Sequence, residues 1–131
     1  MTDIVAVERA VTQYLAEKLG LMVDREIFRG EIPPGIDGCA VAVWGLEVSN
    51  LPGSKRLKMY FTCHFPDRDK VHQMMADVIR WFPIYDLRVK LPTGDELIIR
   101  ALLPGVSFSG NRESDNGQIN VFGEIGFKII L

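Results

Sequence analysis

The side chains best suited to chemistry in this sequence are Cys39, Cys63, His64 and His72, which are all of its cysteines and histidines. Thiolate and imidazole groups bind zinc, and a thiol beside an imidazole can act as a nucleophile. Their spacing favours neither use, because the sequence has no Cys-x-x-Cys pair and no His-x-x-x-His pair. Cys63 and His64 are also adjacent in a strand-like segment, so their side chains should point to opposite faces. We therefore predict no metal ligand, no cofactor and no catalytic residue.

An enzyme stays open as an alternative, because paired carboxylates can serve in acid–base catalysis without any distinctive spacing. Acidic residues such as Glu31 and Asp95 lie beside turns, where they are expected simply because they solvate and cap the backbone. An active site would need a pocket that brings His64 or His72 together with acidic side chains.

The sequence has no Gly-x-Gly-x-x-Gly after a strand and no Gly-x-x-x-x-Gly-Lys-Ser/Thr loop, the two glycine-rich signatures of phosphate binding. Gly123 and Gly126 lie inside a strand pattern, where glycine marks a bulge or a close approach of two backbones. The densest basic run is Lys55, Arg56 and Lys58. We interpret this run as an edge strand that lysine protects against pairing, rather than as a nucleic-acid surface.

The composition predicts a single folded domain that spans residues 1–131. The 15 basic and 17 acidic residues give a net charge of −2, which excludes a strongly cationic nucleic-acid binder. No apolar run approaches the roughly 20 residues that cross a bilayer. Asp3 and Glu8 stand where a signal peptide would be apolar, so we expect a cytoplasmic protein with both cysteines reduced in its core.

Two segments have the three- and four-residue apolar spacing of a helix with one buried face. The first runs from about Asp3 to Leu19 and ends at Gly20, and the second follows the N-cap residue Asp67 and stops before Pro83. The predicted buried positions are Ile4, Val7, Val11, Tyr14 or Leu15, and Lys18 or Leu19 in the first helix, and Val71, Met74, Met75, Val78, Ile79 and Phe82 in the second. The predicted exposed side of the first helix consists of Glu8, Arg9, Gln13 and Glu17.

Six segments are predicted as strands, and the clearest is Leu57–Phe65, where apolar and polar residues alternate. The others are Arg25–Arg29, Cys39–Val48, Tyr85–Leu91 with Tyr85, Leu87 and Val89 on one face, Glu96–Leu103, and a last strand that starts near Gln118. A polar loop, Pro104–Gly117, separates the last two strands. The order α-β-β-β-α-β-β-β predicts an α+β fold: a mostly antiparallel sheet of about six strands with two helices packed on one face.

Apolar residues also fall on the sheet face that two helices cannot cover. Phe122 and Ile130 lie on the outer side of the last strand, and Trp44 lies on a strand whose two faces are both apolar. Such residues need a partner, and self-association is the usual solution. We predict that Trp44, Phe122 and Ile130 form a subunit interface.

The remaining features resemble those of one protein family. After the opening helix, Phe28, Gly30, Ile32 and Pro33 match an aromatic-x-Gly-x-(Leu/Ile)-Pro step that precedes an apolar strand. The chain closes with a Gly/Asn/Asp-rich loop followed by a long alternating strand, and residues Asn116–Leu131 contain the end of this loop and the strand. In these features the sequence is similar to the minor capsid and tail-terminator (tail-completion) proteins of long-tailed phages and prophages.

The resemblance implies a non-enzymatic structural protein that forms a ring, often a hexamer, at the head–tail or tail end of the virion. Its partners would be other copies of itself and phage tail-tube or head–tail connector proteins, with DNA only passing through the lumen and no membrane involved. It would reside in the host cytoplasm during assembly and then in the virion. We expect the loop residues Ile32, Pro33, Pro34, Phe108 and Arg112 to contact neighbouring subunits or the tube. The alternative is a small adaptor or ligand-binding module with an open apolar sheet face.

Overall fold

The computed structural model describes residues 2–48, 54–90, 96–108 and 116–128. Within these ranges the chain forms two helices and six strands, and the predicted α+β class is confirmed. The elements are α1 (Thr2–Leu19), β1 (Ile27–Arg29), β2 (Gly38–Val48), β3 (Ser54–His64), α2 (Arg68–Ile79), β4 (Ile84–Lys90), β5 (Glu96–Phe108) and β6 (Asn116–Lys128).

The six strands of the described residues form one sheet in the order β1-β2-β3-β6-β5-β4. Neighbouring strands run antiparallel except β1 and β2, which are parallel, so the sheet is mixed. The prediction that Lys55–Lys58 belongs to an edge strand is wrong, because β3 lies between β2 and β6. The side chains of Arg56 and Lys58 are exposed on the surface of the sheet, perpendicular to the direction in which strands pair. The backbone of β3 therefore pairs with a strand on each side.

Both helices pack against the same sheet face, in one hydrophobic cluster. α1 contacts β1, β2 and β4, whereas α2 contacts β3 and β6 in the middle of the sheet. Each large apolar side chain that is fully buried here contributes about 1.5–3 kcal/mol to the free energy of unfolding. The helix residues buried in the cluster are Val7, Val11, Leu15, Ala16, Val71, Met75 and Val78, and those of the strands are Ile27, Cys39, Val41, Leu57, Met59, Phe61, Cys63, Ile84, Val89, Ile99, Leu102, Ile119 and Val121.

Local signals end α1 and begin α2 where the sequence predicts, but the predicted stop of α2 at Pro83 is wrong, because α2 ends at Ile79. Gly20 follows α1 with a φ of 68°, a left-handed conformation that glycine adopts without strain. Asp67 caps α2, because its Oδ1 accepts a hydrogen bond of 2.9 Å from the backbone N–H of Asp69. Phe82 lies beyond the end of α2 at Ile79 but is still buried in the core. Neither described helix is long and apolar enough to cross a membrane.

The predicted alternation of β4 is wrong at its start. Ile84 is buried and Tyr85 is exposed, although Val89 is buried as predicted. The change of phase occurs at Asp86, which has a left-handed φ of 53° and so turns the strand. In β5, a register shift between Ile99 and Ala101 similarly lets Ile99 and Leu102 both face the core, although they are three residues apart.

The predicted loop Pro104–Gly117 is wrong at both ends. β5 continues through Pro104 to Phe108, and β6 already begins at Asn116. Pro104 is the register partner of Val121, and Phe108 is that of Ile119. Between these two pairs β5 has more residues than β6, so β5 bulges there. A bulge of this kind breaks the two-residue period, so the alternation of apolar residues does not indicate that the strand continues.

Candidate interaction surface

The sheet face turned away from both helices, here called the outer face, carries exposed apolar side chains near the β4 edge. Tyr85 is 62% exposed and Leu103 is 46% exposed. Tyr85 is the register partner of Ala101, which is half-buried and lies two residues from Leu103 on the same strand. Because register partners and residues two apart share a face, these three residues form one patch, here called the outer patch.

The opposite end of the outer face is covered by the chain itself. Phe28 of β1 is the register partner of Ala40, and both are buried although neither belongs to the main core. The covering is tight: a Cβ on Gly38 would lie 2.7 Å from the Glu26 carbonyl oxygen and 3.4 Å from the Phe28 ring. The Phe28 end of the outer face is therefore closed, whereas the outer patch is open.

The three residues predicted as a subunit interface are only partly within the structure. Trp44 lies in β2, at the register shift between Val43 and Gly45. Phe122 lies in β6 as the register partner of Leu103, which is itself part of the outer patch. The side chains of Trp44 and Phe122 and the whole of Ile130 fall outside the described residues, so this interface stays a prediction.

The loop between β1 and β2 places its predicted contact residues unequally. Ile32 and Pro33 are half-buried, whereas Pro34 is exposed. The backbone N–H of Ile36 donates to the Pro33 carbonyl at 3.2 Å, across a turn that includes Gly35. Of the second predicted loop, Phe108 belongs to β5 with its side chain outside the described residues.

Arg112, the last of the predicted loop residues, also lies outside the described residues. The predictions for Phe108 and Arg112 therefore remain predictions.

Glu8 has a structural role that the sequence did not reveal. It was predicted on the exposed side of α1, but its side chain is only 16% exposed. Its Oε2 accepts a hydrogen bond of 2.9 Å from the backbone N–H of Val43, and its Oε1 lies 3.6 Å from Nε of Arg29. β1 pairs with β2 only as far as Val41, so Glu8 supplies the acceptor that a longer β1 would have given Val43.

We expect Glu8→Ala to lower the free energy of unfolding by about 1–3 kcal/mol, because it leaves the half-buried N–H of Val43 without an acceptor. Glu8→Gln keeps an acceptor oxygen and loses only the ion pair with Arg29, so it should cost clearly less. Urea unfolding of both variants measures the difference. Equal losses for the two variants would contradict the assigned role of the hydrogen bond.

A cavity of about 350 Å³ lies beside Arg29, between α1 and the segment that leads into β1. Its walls combine two arginine side chains with an acidic, an amide and a hydroxyl side chain, together with the apolar side chain of Val23. The Thr12 hydroxyl is already used, since it donates to the Glu8 carbonyl at 2.6 Å. The lining residues are Arg9, Thr12, Gln13, Val23, Asp24 and Arg29.

The cysteines lie in the core, whereas both histidines lie outside it. Cys39 and Cys63 are buried in the core as reduced thiols. The Nε2 atom of His64 lies 3.9 Å from the Asp37 Oδ1 atom, and His72 is exposed on α2. Within the described ranges, no three His, Cys, Asp or Glu side chains are grouped as they would be around a metal ion.

Burial, and after it the neighbouring Cys63 thiol, raises the pKa of Cys39 above its ordinary value of 9.0. Above that pH the unfolded chain loses this proton while the folded protein keeps it, so the unfolded state gains relative stability. We expect the free energy of unfolding to fall by up to about 1.4 kcal/mol per pH unit above pH 9 from this thiol. Urea unfolding between about pH 8 and about pH 10 tests it. Cys39→Ala should show a smaller slope, and an unchanged slope would contradict this cause.

Comparison with known proteins adds information on the fold. No protein-family model matches the chain, and no curated protein matches it. A solved protein structure aligns with 100% of this chain and with 98% of its own length, at a TM-score of 0.56 and 10% sequence identity. At this identity the likeness shows a shared fold over the whole chain and nothing about activity.

Proposed function

We propose that this chain is a non-enzymatic structural assembly protein of phage or prophage virions, a tail-terminator or minor-capsid-like subunit that forms a ring by self-association. The observation that carries the proposal is the outer patch of Tyr85, Ala101 and Leu103 on a sheet face that no described helix covers. Exposed apolar residues grouped on one side of a small domain favour a protein–protein contact.

The position of the patch suits a contact between copies of the chain. It lies beside β4, which is an edge strand of the sheet and therefore has backbone groups that no neighbouring strand within the described residues occupies. Leu103 is also the register partner of Phe122, so the patch continues toward one of the residues predicted from sequence as an interface. In a ring each subunit would use this face against its neighbour.

The partners follow from the family resemblance. The ring, a hexamer in this proposal, would contact tail-tube or head–tail connector proteins, with DNA only passing through its lumen. The exposed loop residue Pro34 would contact a neighbouring subunit or the tube. The protein would act in the host cytoplasm during assembly and then remain in the virion.

A charge placed on the outer patch tests the proposal. Leu103→Glu would bury a carboxylate in the contact, so we expect self-association to weaken about tenfold or more. Val5→Glu is the matched control, because Val5 is 42% exposed on α1, away from the outer face. Sedimentation velocity over a range of protein concentrations measures both variants beside the wild type. If Leu103→Glu associates as well as Val5→Glu, the outer patch is not the contact.

The cavity beside α1 favours a second candidate, a ligand-binding module. Its volume, and a wall that combines apolar surface with two arginines and an amide, suit a small molecule whose polar groups are held by Arg9 and Gln13. Native mass spectrometry of the purified protein would show such a molecule as an added mass, and Arg9→Ala should lose it. A chain that carries no added mass and forms a ring favours the assembly protein.

A further inference from the structure

Cys39 and Cys63 lie directly opposite each other on neighbouring strands. β2 and β3 are antiparallel, and the two cysteines are register partners within this pair. Both side chains belong to the hydrophobic core, with exposures of 0% and 1%, so they are on the same face of the sheet. The sequence separates them by more than twenty residues, and only the register of the hairpin brings them together.

The hydrogen bonds of β2 show which kind of pair this is. The Cys39 N–H donates to the Glu26 carbonyl at 2.9 Å, and the Val41 carbonyl accepts from the Gly30 N–H at 2.7 Å. The backbone groups of Cys39 and Val41 therefore point toward the β1 side, away from β3. It follows that Cys39 and Cys63 form a non-hydrogen-bonded pair, the type in which opposite side chains come closest.

The Cα atoms of such a pair are about 4.5 Å apart. A disulfide needs a Cα separation of about 4.4–6.8 Å, so the separation expected for this type of pair falls within the lower end of that range. The covering helix is close as well, because Cys63 Sγ lies 3.9 Å from the Val71 carbonyl oxygen of α2.

We propose that Cys39 and Cys63 are a cross-strand dithiol that closes to a disulfide when the folded protein meets a small-molecule disulfide as oxidant, joining β2 to β3 beneath α2. One cysteine thiolate attacks the oxidant, breaks its S–S bond and releases one small thiol. The second cysteine then attacks the mixed disulfide and releases the other small thiol. The two cysteines lose two electrons and two protons in total, and the oxidant is reduced to two thiols.

The first step requires the pair to become accessible. Burial raises the pKa of the Cys39 thiol, so the thiolate is scarce in the closed structure. Reaction therefore follows opening of α2 or of the hairpin, and the second step is fast because the partner thiol is already opposite. The product should be the internal disulfide, without a lasting adduct of the oxidant.

The test uses the full chain with an excess of oxidised glutathione at a temperature just below the onset of thermal unfolding. Intact-mass analysis then distinguishes an internal disulfide from a glutathione adduct. The control is Thr62→Cys combined with Cys63→Ala, which moves the second thiol by one residue and onto the opposite face. We expect the wild type to yield the internal disulfide and the control to retain glutathione.

A second measurement does not depend on how the control folds. Oxidised wild-type protein should have a Tm about 5 °C or more above that of the reduced protein, because the bond restricts the unfolded chain. A lasting glutathione adduct on the wild type, thiols that stay reduced, or a disulfide that lowers Tm would each overturn the proposal.

Discussion

Replacing Gly123 with alanine should lower the free energy of unfolding by about 3 kcal/mol, because the added methyl group has no space. Gly123 lies in β6, opposite Leu102 in β5. A Cβ at this position would collide with the Ala101 carbonyl oxygen and lie 2.7 Å from Cδ2 of Leu102. The Ala101 oxygen belongs to the backbone, next to a bulge. The clash can therefore be relieved only if β5 and β6, two central strands, move apart.

Gly35→Ala is the matched control for this substitution. Gly35 has a φ of +76°, and a Cβ there would meet no atom within 4 Å. Its replacement should cost only the strain of a left-handed alanine, about 1–2 kcal/mol. Urea unfolding compares the two variants with the wild type. A smaller loss for Gly123→Ala than for Gly35→Ala would contradict the close approach of β5 and β6.

Phe61→Ala should lower the free energy of unfolding by about 3–5 kcal/mol. Phe61 is 1% exposed in β3, where its register partners are Val41 and Ile119, both of which are buried. Alanine would leave a cavity at the centre of the sheet, beneath the helices. The neighbouring strands are fixed by backbone pairing on both sides, so the cavity can close only in part.

Phe61→Leu tests whether the loss of stability comes from the cavity or from any change of side chain at this position. Leucine retains much of the apolar volume, so it should cost about 1.5 kcal/mol or less. Chemical unfolding measured by circular dichroism gives both values. Similar losses for the alanine and leucine variants would contradict a volume effect.

The parts of the fold that follow a regular period could be predicted from the sequence. The alternation from Leu57 to Phe65 predicted the buried face of β3 correctly, since Leu57, Met59, Phe61 and Cys63 all enter the core. The end of α1 at Gly20 and the cap of α2 at Asp67 were also correct, because each depends on the chemistry of one residue.

The parts that break the period could not be predicted in the same way. Asp86 takes a left-handed φ, and nothing in the alternation of Tyr85, Leu87 and Val89 indicates it. The irregularity after Pro104 likewise lengthens β5 beyond the point where its pattern stops. Such features depend on neighbouring strands, which single-strand periodicity does not include.

The candidate sites show the same division. The sequence indicated that Cys39 and Cys63 are core residues, but only the register shows that they are partners. Glu8 was assigned to solvent because the helical period ignores how far β1 extends along β2. Leu103 was inside a predicted strand, and its exposure follows from the bulge at Ala101.

The measurement that most directly tests the proposed function is the mass of the wild-type protein in solution, by light scattering across a wide range of concentration and salt. If the subunit forms a ring, the measured mass should be that of a discrete species of several chains, six in the proposed hexamer. Leu103→Glu should lower the fraction of this species, and Val5→Glu should leave it unchanged. A single chain at every concentration and salt would contradict the account.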